Sequence, residues 1–154
     1  MGYTHYYYQK KSFSTSEWTN IQNAVKQIVS YCNKNKIKLV YEYNVDSAPE
    51  VNGSVVRFNG YQDEGHETFV LEKKMPKPEP WQSNQNEYFC FCKTARKPYD
   101  LAVGLVLLAI NDLSDGVVSL SSDGDWDSEW QAIRSAYEEI FGTVPNCPFE
   151  MVDS

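Results

Sequence analysis

The sequence predicts an α+β fold. We expect one domain over residues 1–154, with a mainly antiparallel sheet of five to six strands and three helices in the order β-α-β-β-β-β-α-β-α. Runs rich in aromatic and β-branched residues follow one another with short turn-forming segments between them, which favours antiparallel pairing. Two stretches repeat apolar residues at helical spacing. A third, residues 101–110, is apolar all round, which is typical of a central helix covered on most sides.

The first half of the chain opens with a tyrosine-rich strand, residues 3–9. Ser14 and Glu17 form a capping box, and the apolar periodicity behind it predicts a helix over residues 16–35. Three more strands follow, at residues 37–43, 54–59 and 66–72. The segment 45–53 contains Asp, Ser, Pro, Asn and Gly, so we expect it to form a turn.

The second half begins with the irregular segment 73–86, which holds three prolines and Trp81 and is either a lid or a mobile surface loop. A strand, a helix and a short strand are then predicted at residues 87–93, 98–112 and 117–121. Pro98 suits the first turn of its helix. Asp125 is expected to cap the third helix, and Gly142 to end it.

The charge balance restricts the partners. The net charge is −7, and binding to DNA over a broad surface or to an anionic membrane needs many cationic residues. Neither partner is expected, whereas one local cationic cluster could still hold a small anionic ligand. The apolar run 101–110 is too short to span a membrane, and the N-terminal stretch lacks the apolar core of a signal peptide. We therefore expect a cytoplasmic protein, and its oligomeric state stays open.

Four cysteines and two histidines form no recognisable metal-binding pattern, because no CxxC pair occurs. The cysteines are expected to be reduced, partly buried thiols. We predict no metal and no cofactor.

A cluster of cations precedes the apolar helix. Lys93, Arg96 and Lys97, with the Thr94 hydroxyl among them, come just before Pro98. A helix N-terminus carries a partial positive charge and amide groups without intrahelical partners. Cations, dipole and amides together predict an anion site here, with Arg96 as its strongest contact because arginine can bind phosphate through two hydrogen bonds. The alternative is a solvated loop whose cations pair with nearby carboxylates.

Three sequence blocks carry a resemblance. They are Met-Gly-Tyr-Thr-His-Tyr at residues 1–6, Gly-His-Glu-Thr-Phe at 65–69, and Phe-Cys-Lys-Thr-Ala-Arg-Lys-Pro-Tyr-Asp at 91–100; Ser-Asp-Gly-Asp-Trp at 122–126 is a further similar stretch. Together they resemble small uncharacterised proteins of phages and bacteria. The resemblance implies a bacterial or phage-infected cytoplasm. Phage genomes carry small proteins that bind or destroy nucleotide immune signals. A similar role is expected here only by analogy with that setting, and not from these residues.

Further candidate site residues lie at predicted strand ends or turns: His5, His66, Glu67 and Asp123. We expect both histidines to approach the 93–97 loop. His5 shares a strand face with two tyrosines, so a histidine hydrogen-bonded at the edge of the core is an alternative. His66-Glu67-Thr68 has the His-x-Thr form of the two-histidine phosphoesterases, but the chain has no second such motif.

Three functions remain open at this point. The first is binding of a phosphate-bearing small molecule, with a nucleotide as the expected case, by Lys93, Arg96 and Lys97, with aromatic rings stacking its base. The second is hydrolysis of such a molecule, with His66 and His5 as acid and base and Glu67 beside them. The third is an acidic inhibitor or adaptor that binds a protein and has no deep pocket at the 93–97 loop. Whether the chain is an enzyme is therefore undecided.

Overall fold

A computed structural model describes residues 2–149 and shows an α+β fold with three helices and two antiparallel sheets. The helices are α1 (Thr15–Lys34), α2 (Asp100–Leu113) and α3 (Gln131–Phe141). The strands are β1 (Thr4–Gln9), β2 (Leu39–Val40), β3 (Glu50–Val51), β4 (Val55–Gly60), β5 (Phe69–Glu72), β6 (Tyr88–Lys93) and β7 (Val118–Ser122). A short 3₁₀ turn, Gln62–Glu64, lies between β4 and β5.

The described strands number seven and form two sheets rather than one sheet of five to six strands. In the first sheet β1 lies between β6 and β7 and is antiparallel to both. In the second, β4 pairs with β2, β3 and β5, again antiparallel. The additional strand is β3, which lies inside the predicted turn segment 45–53 and pairs Glu50 with Arg57. The antiparallel prediction is confirmed, and the strand count was too low because two-residue strands carry too few residues to show a period.

The first helix has the predicted capping box and begins at Thr15, one residue before the predicted start. The Glu17 amide donates to Ser14 Oγ at 3.1 Å, and the Ser14 amide donates to Glu17 Oε1 at 2.8 Å. This reciprocal pair satisfies two amides that would otherwise lack partners. The third helix begins later than Asp125, at Gln131, because the Asp125 carboxylate instead accepts from the amide of Asp127 and the hydroxyl of Ser128 in the preceding turn.

The second helix is central, as its composition predicts. Every residue from 102 to 110 is buried, and the helix packs against both α1 and α3. A Cβ on Gly104 would lie 2.5 Å from Ile133 Cδ1 in α3, so the absence of a side chain allows the two helices to approach closely. In the described part of the chain, no helix combines the length and the apolar character needed to cross a membrane.

Candidate functional site

The loop between β6 and α2 is anchored to the first strand. The amides of Thr94 and Ala95 both donate to Tyr3 O, at 3.0 and 3.2 Å. Ala95 and Arg96 both have positive φ values, a left-handed conformation that non-glycine residues rarely adopt. Such a conformation persists where surrounding contacts hold it, so the loop has a fixed shape.

Those contacts include a buried polar network around His5. The imidazole is 0% exposed, with Nδ1 2.7 Å from Ser122 Oγ and Nε2 2.6 Å from Asp100 Oδ1. Thr94 Oγ1 donates to the same Asp100 oxygen at 2.5 Å. One network therefore joins β1, β7, the 93–97 loop and the first turn of α2.

The other partners of Ser122 determine the direction of these hydrogen bonds. Ser122 Oγ accepts from the Gly124 amide at 2.9 Å and from Trp130 Nε1 at 3.0 Å. With both lone pairs engaged, the hydroxyl proton points to His5 Nδ1. Nδ1 is then an acceptor, and Nε2–H donates to the Asp100 carboxylate.

This serine–histidine–carboxylate chain resembles a catalytic triad in its spacing, but its histidine is fully buried, while Ser122 is partly exposed. His5 packs between Tyr3 and Trp130 in T-shaped contacts, at ring-centroid distances of 5.2 and 5.1 Å. None of the clefts described below is lined by His5 or Ser122. The network links the first sheet to the start of α2, in line with the alternative of a histidine hydrogen-bonded at the edge of the core.

The start of α2 provides a weaker anion-binding site than the sequence predicts. The Asp100 and Leu101 amides donate to the carbonyl oxygens of Lys97 and Pro98, at 2.8 and 3.4 Å. The Asp100 carboxylate already supplies a negative charge in the first turn, where it interacts favourably with the helix dipole. Binding of a further anion would therefore depend on side chains.

The three cations of the loop have different environments. Arg96 forms an ion pair with Glu129, and its guanidinium lies 4.1 Å from the centroid of the Tyr3 ring. The Tyr3 ring also contacts His5, so His5 and Arg96 flank one tyrosine. Lys93 is exposed, and its Cε lies close to Gly2. The predicted alternative, a loop cation paired with a nearby carboxylate, applies to Arg96.

Lys97 faces an open cleft of about 390 Å³. The cleft is lined by Tyr43, Asp63, Gly65, His66, Glu67 and Lys97. It brings together three of the residues singled out in the sequence, namely His66, Glu67 and Lys97. Two lining residues that the sequence did not indicate are Asp63 and Tyr43, the latter 51% exposed.

His66 is placed by a buried asparagine. Asn59 Oδ1 accepts from the His66 amide at 3.1 Å, and Asn59 Nδ2 donates to His66 O at 3.0 Å. The side chain of His66 itself is exposed. His66 precedes β5, which begins at Phe69 rather than at residue 66. The sequence predicts Asn59 as the last residue of a strand and gives no indication that it positions the cleft.

Glu67 connects the cleft to the loop. Its amide donates to Lys93 O at 3.2 Å, and its carboxylate accepts from the Lys93 amide at 3.0 Å. Its carbonyl oxygen accepts from the Tyr99 hydroxyl at 2.5 Å. Burial raises the pKa of Tyr99 well above its ordinary value, with further upward effects from Cys92, Glu67 and Asp100. The phenol therefore stays protonated and remains a donor.

Asp123 forms two hydrogen bonds with the backbone of Thr4. Its carboxylate accepts from the Thr4 amide and its amide donates to Thr4 O, both at 3.0 Å. This pair extends the contact between β1 and the end of β7. Asp123 is exposed but does not line the cleft of Lys97.

The described cysteines are free thiols. Burial raises the pKa of Cys32 to about 12 and that of Cys92 further, so neither forms a reactive thiolate near neutral pH. Among residues 2–149, no group of three or more histidine, cysteine or acidic side chains is arranged to hold a metal ion.

No protein-family model, curated protein or solved structure matches this chain.

Proposed function

We propose that the protein binds a phosphate-bearing small molecule, a nucleotide, in the cleft of Lys97 and His66. The observation that carries the proposal is the convergence of an ammonium group, an imidazole and an exposed tyrosine ring on one cleft of about 390 Å³. That volume lies within the range of small-molecule sites, roughly 300–1,000 Å³.

The lining residues suit the parts of a nucleotide. Lys97 and His66 can donate to phosphate oxygens, and the exposed Tyr43 ring can stack on a base, as aromatic side chains do in nucleotide-binding sites. Asp63 and Glu67 accept hydrogen bonds and repel bare phosphate, which favours a ligand that also carries hydroxyl or amino donors. A nucleotide has such donors on its sugar and base, whereas inorganic phosphate does not.

The same geometry favours binding over cleavage. A two-histidine mechanism needs both imidazoles at the ligand, but His5 is 0% exposed and bonded through both ring nitrogens. His66 is the histidine that lines this cleft. We therefore propose that the protein sequesters its ligand. In the phage or bacterial setting that the resemblance implies, such a protein would lower the free concentration of a nucleotide immune signal.

Calorimetry with a panel of mono-, di- and cyclic nucleotides tests the proposal. Lys97→Ala should weaken binding about ten- to hundredfold, because a charge-assisted hydrogen bond is worth roughly 1.5–3 kcal/mol. Arg96→Ala serves as the matched control, since its guanidinium pairs with Glu129 and its loss should change the affinity by less than about threefold. The sequence predicts the opposite order, with Arg96 contributing more than Lys97 to the binding of the anion.

Recovery of the ligand after long incubation decides between sequestration and hydrolysis. We expect it to be recovered intact. If the ligand is recovered cleaved and His66→Ala binds without cleaving, the protein is a hydrolase. If no nucleotide in a broad panel gives heat or a thermal shift, the binding proposal fails and the protein-binding adaptor is favoured.

A further inference from the structure

A second cleft lies on the outer face of the β6-β1-β7 sheet, at the end where β6 begins. Aromatic rings form a continuous group on this face: Tyr6, Tyr8, Trp81, Phe89 and Phe91. Trp81 is 69% exposed and Phe91 is 48% exposed. Exposure of large aromatic side chains is unfavourable in water and frequently marks a binding surface.

The loop that carries Trp81 is fixed. Gln82 is buried, and its side chain donates to Glu87 O at 3.0 Å and accepts from the Glu79 amide at 3.2 Å. Gln85 Nε2 adds bonds to the carbonyl oxygens of Glu79 and Gln82, at 2.9 and 2.8 Å. The loop is therefore closed on itself and attached to the start of β6. These hydrogen bonds place the backbone that carries Trp81 beside the start of β6.

The rings form walls at different angles. Trp81 meets Phe89 edge to face, with ring centroids 6.2 Å apart and an interplanar angle of 84°. Tyr8 lies 5.0 Å from Phe89 at 40°. These three rings, with Gln82, Ser83, Asn84 and Glu87, line a cleft of about 300 Å³. Non-parallel aromatic walls are the arrangement that surrounds a cation in aromatic cages.

The charged side chain that lines this cleft is negative. Among the residues described it is Glu87, and no described lysine or arginine lines the cleft. A phosphate-bearing ligand is repelled by this carboxylate, whereas a cation is attracted both to it and to the ring faces.

We propose that this cleft binds an organic ammonium group, held against the faces of Trp81, Phe89 and Tyr8 with Glu87 as its counter-charge. The group is a methylated amine, carried either by a free small molecule or by a lysine side chain of another protein. This site is independent of the proposed nucleotide cleft, because the two clefts share no lining residue.

A titration followed by ¹H–¹⁵N NMR tests the proposal through the tryptophan indole signals. The Trp81 signal is assigned by its absence in Trp81→Leu. The probes are choline and its neutral analogue 3,3-dimethylbutan-1-ol, which has the same shape without the charge, at constant ionic strength. We expect choline to shift the Trp81 signal saturably and the neutral analogue to bind about five- to twentyfold more weakly.

Variants separate this site from a general apolar surface. Glu87→Gln should weaken choline binding about three- to tenfold, and Trp81→Leu should abolish measurable binding. Phe91→Leu is the control, because Phe91 lies on the same face but does not line the cleft, and it should leave the affinity unchanged. Unaltered indole signals of the other tryptophans show that each variant is folded.

N-acetyl-trimethyllysine amide distinguishes the two sources of the ammonium group. Tighter binding than choline indicates a lysine side chain, and weaker binding indicates a free amine. Equal affinity for choline and the neutral analogue would overturn the proposal, as would unchanged choline binding in Glu87→Gln. The absence of any choline-induced shift of the Trp81 signal would also overturn the proposal. A Trp81 signal that shifts with a neutral saccharide but not with choline is one such result.

Discussion

Replacing His5 with alanine should lower the free energy of unfolding by about 3–5 kcal/mol. The imidazole is 0% exposed and hydrogen-bonded through both nitrogens. Its removal takes one hydrogen bond from the Ser122 hydroxyl and one from the Asp100 carboxylate, and losing the partner of a buried polar group costs roughly 1–3 kcal/mol. A cavity between Tyr3 and Trp130 adds to that loss, since buried large-to-small changes cost roughly 2–5 kcal/mol. Asp100 keeps its bond from Thr94 and some solvent access, at 18% side-chain exposure, so the full sum of these losses is not expected.

Urea unfolding followed by tryptophan fluorescence measures the effect, and His66→Ala is the matched control. Because the His66 side chain is exposed, its removal should change the free energy of unfolding by less than about 0.5 kcal/mol. The same pair should show the opposite order in ligand binding, where His66 lines the cleft. If the His5→Ala change also stays within about 0.5 kcal/mol, the range of ordinary surface substitutions, the buried network does not hold the loop and our account of its geometry is wrong.

Three further predictions concern stability. Leu105→Ala should cost roughly 2–5 kcal/mol in urea unfolding, because Leu105 is fully buried in α2. A change as small as that of a surface substitution, below about 0.5 kcal/mol, contradicts a central helix. Gly124→Ala should cost about 1–3 kcal/mol, because the new methyl group overlaps the Tyr3 hydroxyl, and an unchanged melting temperature contradicts this packing. The pKa of Tyr3 is raised from 10.0 to about 12, mainly by burial and then by Asp100 and Glu129. A tyrosine whose pKa is higher in the folded than in the unfolded protein stabilises the folded state at pH values below its pKa in the unfolded protein. This contribution is lost as the pH rises through its pKa in the folded protein. Chemical denaturation should therefore show stability falling between pH 10 and 12, and a flat profile there contradicts the shift.

The sequence predicted the elements whose signals are local. The Ser14–Glu17 capping box is complete within four residues, and α1 begins directly after Ser14, within one residue of the predicted start. The apolar run in α2 has no polar face to place in solvent, and its burial follows from that alone. Neither inference needs information about distant parts of the chain.

The parts that could not be predicted depend on long-range register. The partners of His5 lie 95 and 117 residues further along the chain, and Arg96 pairs with Glu129. Local sequence could suggest that Arg96 was available to a ligand, but it could not show which carboxylate neutralises it. Tyr43 was missed for the same reason, because only the folded chain brings it near Lys97.

The 93–97 loop allows a protein of net charge −7 to present a lysine side chain at an open cleft. Thr94 is buried and bonded to Asp100, Arg96 is held over Tyr3, and Lys97 lines the cleft. The left-handed backbone at residues 95 and 96 lets the side chains of Thr94, Arg96 and Lys97 reach these three different environments within four residues. The His5 network supplies contacts that stabilise this backbone conformation. A lysine on a fixed loop loses less conformational entropy on binding than one on a mobile loop. If the proposed ligand binds at Lys97, the buried histidine would contribute by holding the loop that carries Lys97, without contacting the ligand.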